Sequence, residues 1–152
     1  MRLTERHLHA DPPLPHEIAA ARADVERAID LAAQQVPLAE AVTLVGLAGS
    51  ITTITAHALG LSSYQPDRIH LSRLTSEQAL AASDDLLGMS RAERAALPLM
   101  HPGRVDVIGG GAIVWRTIIE RVVAVAGPVP VITSEHDILD GIALSVLERE
   151  AS

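Results

Sequence analysis

The residues best suited to chemistry gather in three turns. In the first, Val42-Thr43-Leu44-Val45-Gly46-Leu47-Ala48-Gly49-Ser50-Ile51-Thr52-Thr53-Ile54 reads as a strand buried on both faces that stops at a glycine and turns straight into a helix. Gly49 allows the tight turn, and Ser50 is a good N-cap. The free amides of Ser50 to Thr53 would then leave the helix end where its dipole favours an anion, flanked by the hydroxyls of Ser50, Thr52 and Thr53. Gly49, Ser50, Ile51, Thr52 and Thr53 are therefore a candidate phosphate-binding set, and the same residues also suit an ordinary capped turn. The second turn is Gly109-Gly110-Gly111, where a ligand or another chain segment can approach the backbone closely. The third is Ser134-Glu135-His136-Asp137 with Asp140, whose carboxylates either order a hydrated cation or simply complement a helix dipole.

Around these turns stand single residues with ligand chemistry. Arg104 and Arg68 have the forked donors that clamp phosphate oxygens, or that pair with surface acids. His70 and His101 fall in loop-like segments, within reach of a ligand or of solvent. His7 and His9 are too few for a metal site. No nucleophile, base and orienting acid assemble from these residues, so no catalytic residue and no metal-ligand set is assigned. A dinucleotide fingerprint fits poorly, because the glycine spacing and the ribose-binding acid are not both present.

The composition sets the outer bounds. At 152 residues, 48% of them hydrophobic, the chain is one folded domain, residues 1–152, with no linker or internal repeat. Trp115 and Tyr64 are its only aromatic residues, so the core is aliphatic, and every basic residue other than histidine is Arg. A net charge of −7 argues against a general nucleic-acid surface. With no Cys there is no thiol chemistry. No charged-then-apolar leader opens the sequence and no apolar run reaches membrane-spanning length, so a cytoplasmic location without membrane contact is expected.

The elements that must position the turns follow in order. Met1 to Ala10 begins as a short strand. After Asp11-Pro12-Pro13-Leu14-Pro15, the residues Ile18, Val25, Ile29, Ala32 and Val36 fall on one face of a helix that Pro37 ends. Arg68 to Ser72 reads as a short strand or an extended loop. Thr75-Ser76-Glu77-Gln78 and Ser90-Arg91-Ala92-Glu93 are capping boxes. Arg104 to Ile108 reads as a strand leading into the glycines and an apolar helix from Ala112 to Val123. Val129 to Thr133 is a further strand, which Pro130 places near an edge. A last helix carries Ile138, Ile142, Val146 and Leu147 inward. Three strand-turn-helix units result, and in such sheets the turns gather at the carboxyl ends of the strands, facing one cleft.

The ordered series Gly46-Leu47-Ala48-Gly49-Ser50-Ile51-Thr52-Thr53, Tyr64…Ile69-His70, Leu74-Thr75, Arg91-Ala92-Glu93-Arg94, Arg104-Val105-Asp106-Val107-Ile108-Gly109-Gly110-Gly111 and Ser134-Glu135-His136-Asp137-Ile138-Leu139-Asp140-Gly141 resembles the exopolyphosphatase and guanosine pentaphosphate phosphatase (Ppx/GppA) family over nearly the whole chain. The resemblance implies an α/β, ribonuclease-H-like lobe of the actin, sugar kinase and Hsp70 type, three-layered α/β/α with a small mixed sheet. It also implies a function: hydrolysis of terminal phosphoanhydride bonds of polyphosphate or guanosine pentaphosphate, with Mg²⁺ and a water-activating glutamate. By resemblance, Gly49 to Thr53 form the second lobe's phosphate-facing loop, with Ser50 where the family usually has Thr. Gly109, Gly110, Gly111, Arg104, His70, Ser134 and Asp140 line the nucleotide or polyphosphate cleft. The family's Asp-x-Gly-Thr-Asn-Ser loop, its base glutamate and its Asp-x-Gly-Gly-Gly-Ser loop find no match. The expectation is therefore a carboxyl-terminal half, an incomplete lobe that is inactive alone and associates with the missing lobe or with itself. A non-catalytic phosphate- or nucleotide-binding module acting with a partner chain is the alternative.

Overall fold

In the computed structural model, which describes the backbone of residues 2–150 and the side chains of residues 3–146, the first segment is a helix, α1 (Arg2–His7), and not the expected strand. Docking decides this: Arg6 and His7 both reach the Asp24 carboxylate, His7 Nε2 at 2.9 Å. Met1 and the side chain of Leu147 lie outside the described residues. Next, α2 (Pro15–Ala32) starts with proline at its first position and buries Glu17, Ala21 and Val25. The Glu17 carboxylate accepts the amides of His9, Ala10 and Leu14, folding the proline-rich connection back onto the helix start. The helix ends short of Pro37, so Val36 lies outside it and is exposed.

A 3-10 turn at Leu38–Glu40 leads into β1 (Leu44–Leu47), followed by α3 (Gly49–Ala58) and α4 (Pro66–Ile69). Then come β2 (Arg73–Leu74), α5 (Ser76–Gly88) and α6 (Arg91–Ala96). Both capping boxes form as expected, at Thr75 and Ser90. The segment 68–72 divides: Arg68 and Ile69 close α4, while Leu71, in a turn at φ 57, donates its amide to Thr133 O and Ser72 O accepts Thr133 N.

A second 3-10 turn, Pro102–Arg104, precedes α7 (Ile108–Ala126), and the chain closes with β3 (Val131–Ser134) and α8 (Ile138–Glu150). The expected strand Arg104 to Ile108 does not form. Arg104 N bonds to His101 O at 2.8 Å and Val107 N to Arg104 O at 3.1 Å, which is turn geometry. Val105, Ile108, Ala112, Trp115 and Ile119 are all buried, and that spacing is helical, not alternating. Gly109 to Gly111 therefore stand inside the first turns of α7 instead of in a loop.

The sheet has the order β1-β3-β2, with β1 parallel and β2 antiparallel to β3. β3 is thus central, and Pro130 precedes it without marking an edge: its carbonyl accepts Leu44 N at 3.0 Å. The register sorts the residues by face. Leu44, Gly46, Val131, Thr133 and Leu74 turn toward the helices, where α3, α5 and α7 pack on one another. Val45, Leu47, Ile132, Ser134 and Arg73 turn away. Val45 and Leu47 stay 53% and 43% exposed, so β1 is buried on one face and not on both. The core is aliphatic around Trp115, as the composition required.

The fold is an α/β, ribonuclease-H-like lobe with a small mixed sheet. Of the three layers expected, helices cover one face, where α3, α5 and α7 pack. α8 has no extensive packing partner among the described residues. Its Ile138, Ile142 and Val146, expected inward, are 72%, 54% and 49% exposed.

Candidate phosphate-facing site

Because β1 and β3 run parallel, their carboxyl ends bring the turn at Gly49 and the turn after Ser134 to the same end of the sheet. The first begins with Ala48 at φ 74 and ψ 163, a conformation natural to glycine and costly for alanine. Ala48, not Ser50, is the N-cap, and no side chain caps the helix. Ile51 N and Thr52 N both bond to Ala48 O, at 3.1 and 3.2 Å. The amides of Gly49 and Ser50 have no acceptor among the described residues. Beneath them Thr53 Oγ1 donates to Gly49 O at 2.8 Å, and Thr55 Oγ1 meets Thr133 Oγ1 at 2.6 Å, riveting α3 to β3.

Arg104 comes to this turn from the 3-10 segment before α7. Its Nη1 donates to Thr53 Oγ1 at 2.9 Å, and its guanidinium lies over the Tyr64 ring, 5.3 Å from the centroid. No carboxylate pairs with it among the described residues. A guanidinium and a helix amino terminus, both positive, thus stand together without a counter-charge. That is an anion-attracting arrangement. A pocket of about 220 Å³ opens beside it, lined by Tyr64, Pro98, Leu99, Met100, His101 and Arg104.

Tyr64 joins the two turns. Its hydroxyl lies 2.7 Å from Thr52 Oγ1 and 2.8 Å from Glu135 Oε1. The one phenol proton is within reach of both oxygens, and Thr52 Oγ1 itself donates to Gly49 O at 3.3 Å. Glu135 N in turn donates to His70 Nδ1 at 3.2 Å, and the His70 ring stands edge-on to His136 at 4.8 Å.

The remaining expected residues divide. Gly49, Thr52, Thr53 and Arg104 form the centre; Ser50 borders it; Ile51 packs inward against Gly46, where a Cβ would stand 2.6 Å from its Cγ2. His70 joins through Glu135. Ser134 and Asp140 serve their own turn: Ser134 Oγ accepts His136 N at 3.1 Å, and Asp140 accepts Asp137 N at 2.8 Å. That backbone bond, with His136 nearby, holds the Asp140 carboxyl below its ordinary value. Gly111 abuts the site, since a Cβ there would meet Ser50 Oγ at 2.4 Å. Gly110 faces Thr4 and Gly109 faces Arg94, so these two admit neighbouring helices closely. His101 accepts Gly103 N and shapes the turn, while Arg68 is exposed with no role in the cluster. Tyr64 and Glu135 complete the network without having been assigned to it. The available signal was rarity, for Tyr64 is one of two aromatic residues in the chain.

The fold is ribonuclease-H-like, with an unpaired guanidinium at the end of its sheet, and comparison with known proteins gives the family. The profile of the Ppx/GppA phosphatase family matches residues 1–150, and the chain belongs to that family. It is 49% identical to exopolyphosphatase 2 of Mycobacterium tuberculosis over 146 residues, covering 96% of this chain and 46% of that protein. A bifunctional 3-dehydroquinate synthase/phosphatase of Fusobacterium nucleatum is 32% identical over 109 residues, 71% of this chain and 15% of that one. The crystal structure of an exopolyphosphatase-like protein superposes with a TM-score of 0.93 at 44% identity, over 97% of this chain and 48% of the other. An Aquifex aeolicus Ppx/GppA phosphatase shares the fold, with a TM-score of 0.77 at 24% identity, over 95% of this chain and 45% of that one. The chain spans about half the length of the mycobacterial relative. No described helix is long and apolar enough to cross a membrane.

Proposed function

We propose that this chain supplies one wall of a phosphoanhydride-hydrolysing site. The wall is the second-lobe portion of a phosphatase that acts on the terminal bonds of polyphosphate or guanosine pentaphosphate. The observation that carries the reading is Arg104, unpaired with any described carboxylate and set over the unsatisfied amino end of α3. Those groups neutralise phosphate oxygens. Hydrolysis also needs a base to activate water, and the one carboxylate in the network, Glu135, is engaged by the Tyr64 hydroxyl. Alone, the chain therefore binds the chain end of a polyphosphate and turns it over poorly.

Mg²⁺ is expected of the complete enzyme by family resemblance. Among the described residues no three His, Cys, Asp or Glu side chains converge to hold a metal ion, so no step runs through a cation bound by this chain alone. A binding module that works with a partner chain is the second reading, favoured by the open edge of β1 and the exposed Val45 and Leu47. Calorimetric titration with polyphosphate and guanosine pentaphosphate, beside a phosphate-release assay with Mg²⁺, tests both. Saturable binding with negligible release supports the proposal. Absence of binding overturns it, and robust release by the purified chain overturns the claim of inactivity.

A further inference from the structure

We infer that Tyr64 is a positioning residue for the anion site: its ring holds the Arg104 guanidinium over the start of α3, and its hydroxyl locks that arrangement to Glu135 on the next turn. The inference rests on the proposed phosphate wall and adds the residue that keeps it preorganised.

Arg104 has a flexible stem, and a guanidinium with no acid partner would ordinarily extend into water. Here it is held on two sides. Thr53 Oγ1 accepts from Nη1 at 2.9 Å, and the Tyr64 ring lies under the cation with 5.3 Å to its centroid. The hydroxyl fixes one nitrogen only, and the aromatic face restrains the rest of the guanidinium. The ring is itself fixed at its far end, because its hydroxyl meets Thr52 Oγ1 at 2.7 Å and Glu135 Oε1 at 2.8 Å. One side chain therefore spans α3, the 3-10 turn carrying Arg104 and the turn after β3. In a chain otherwise nearly free of aromatic residues, no aliphatic side chain offers both an electron-rich face and a polar tip.

The arrangement also separates charges. The Glu135 carboxylate, the acid in the network, is held by the phenol and forms no ion pair with Arg104. Tyr64 thus keeps the carboxylate occupied while leaving the guanidinium free for an anionic ligand. Without the phenol, Glu135 gains the freedom to swing toward Arg104 and neutralise it.

The test uses tripolyphosphate titrated into the 152-residue chain and four variants: Arg104→Ala, Tyr64→Leu, Tyr64→Phe and the double variant Tyr64→Phe with Glu135→Gln. Melting curves confirm that each folds. Arg104→Ala should weaken binding at least tenfold. Tyr64→Leu should weaken it about five- to tenfold, because the cation loses its platform and Glu135 its partner. Tyr64→Phe keeps the face, so it should lose about two- to threefold. Adding Glu135→Gln to Tyr64→Phe should restore most of that loss by removing the competing charge. In parallel, the Arg104 Nε–H resonance, shifted by the ring current of Tyr64, should move toward the free-arginine position in Tyr64→Leu and stay put in Tyr64→Phe. Loss of binding in Arg104→Ala with none in Tyr64→Leu overturns the positioning role and leaves the phosphate wall standing. Absence of binding by the parent chain removes the phosphate wall. The resonance then decides the positioning role by itself: an Arg104 signal indifferent to Tyr64→Leu overturns it.

Discussion

The Arg104 guanidinium occupies the space in which a side chain on Gly49 would stand: a Cβ built there falls 2.8 Å from Nε and 2.9 Å from Cζ and Nη2. Gly49 is thus required by a neighbour's charge more than by its own backbone, which is the first residue of a helix.

That distinction predicts an unusual split for Gly49→Ala. The obstructing atoms are the far end of a flexible side chain, so the fold adapts and a helical alanine even gains propensity, about 1 kcal/mol over glycine. Arg104, however, must leave the helix start. Thermal stability should hold or rise while affinity for tripolyphosphate falls about tenfold. A melt combined with a titration reads both.

The residue before it is strained where Gly49 is not. Ala48 sits at φ 74 and ψ 163, a region that glycine occupies freely. Relief of that conformation in Ala48→Gly outweighs the added freedom of the unfolded chain, so the variant should be more stable by about 1 kcal/mol. A chemical denaturation midpoint that moves upward with an unchanged slope would register it. If the strain serves to aim the Gly49 and Ser50 amides, tighter folding will come with weaker phosphate binding.

How much of this could be read beforehand varied with the range of the interaction that decided it. Strand β1, its turn into a helix at Gly49 and the capping boxes at Thr75 and Ser90 are set by residues within a few positions of each other, and they formed where expected, though β1 is buried on one face only and Ala48 takes the N-cap place expected of Ser50. Segments decided by distant partners did not. Arg104 to Ile108 has the composition of a strand, but Val105 and Ile108 take the helical spacing of the α7 core, and the following glycines lie within the helix to admit Thr4 and Ser50. Central β3 was misplaced because Pro130 precedes the paired residues instead of interrupting them. The meeting of Arg104 with the Gly49 turn joins two of the expected segments, while Ile51 turns inward against Gly46. The Tyr64 link to Glu135 spans 71 positions and had no local mark.

Glu17 gives a prediction about pH. Its carboxylate accepts the amides of Leu14, His9 and Ala10, and the Leu14 bond above all holds its pKa below the ordinary 4.5. A carboxyl with a lowered folded pKa contributes stability that is fully present above the unfolded value and is lost as pH falls through the folded one. The stability that Glu17 contributes should therefore be constant down to about pH 5 and be lost progressively below. Glu17→Gln should flatten that acid limb while lowering the melting temperature at neutral pH, since a neutral amide is a weaker acceptor for three N–H groups. Melting temperatures recorded from pH 7 to pH 3 for both proteins measure the difference.

The open face of the sheet predicts how the chain behaves in solution. β1 is the last strand on its side, so one row of its backbone groups has no strand partner among the described residues, and Val42 is 83%, Val45 53% and Leu47 43% exposed beside it. A flat, apolar strand edge is a template for pairing with another chain. The exposed Ile138, Leu139 and Ile142 of α8 add apolar surface that lacks a cover. Purified at increasing concentration, the chain should shift from monomer toward dimer or larger species by light scattering. Val45→Lys puts a charge on the open face without disturbing the covered one, so it should lower the association while changing the melting free energy by no more than about 0.5 kcal/mol. A parent chain that stays monomeric throughout, with the same mass as Val45→Lys, would show that this edge does not drive assembly.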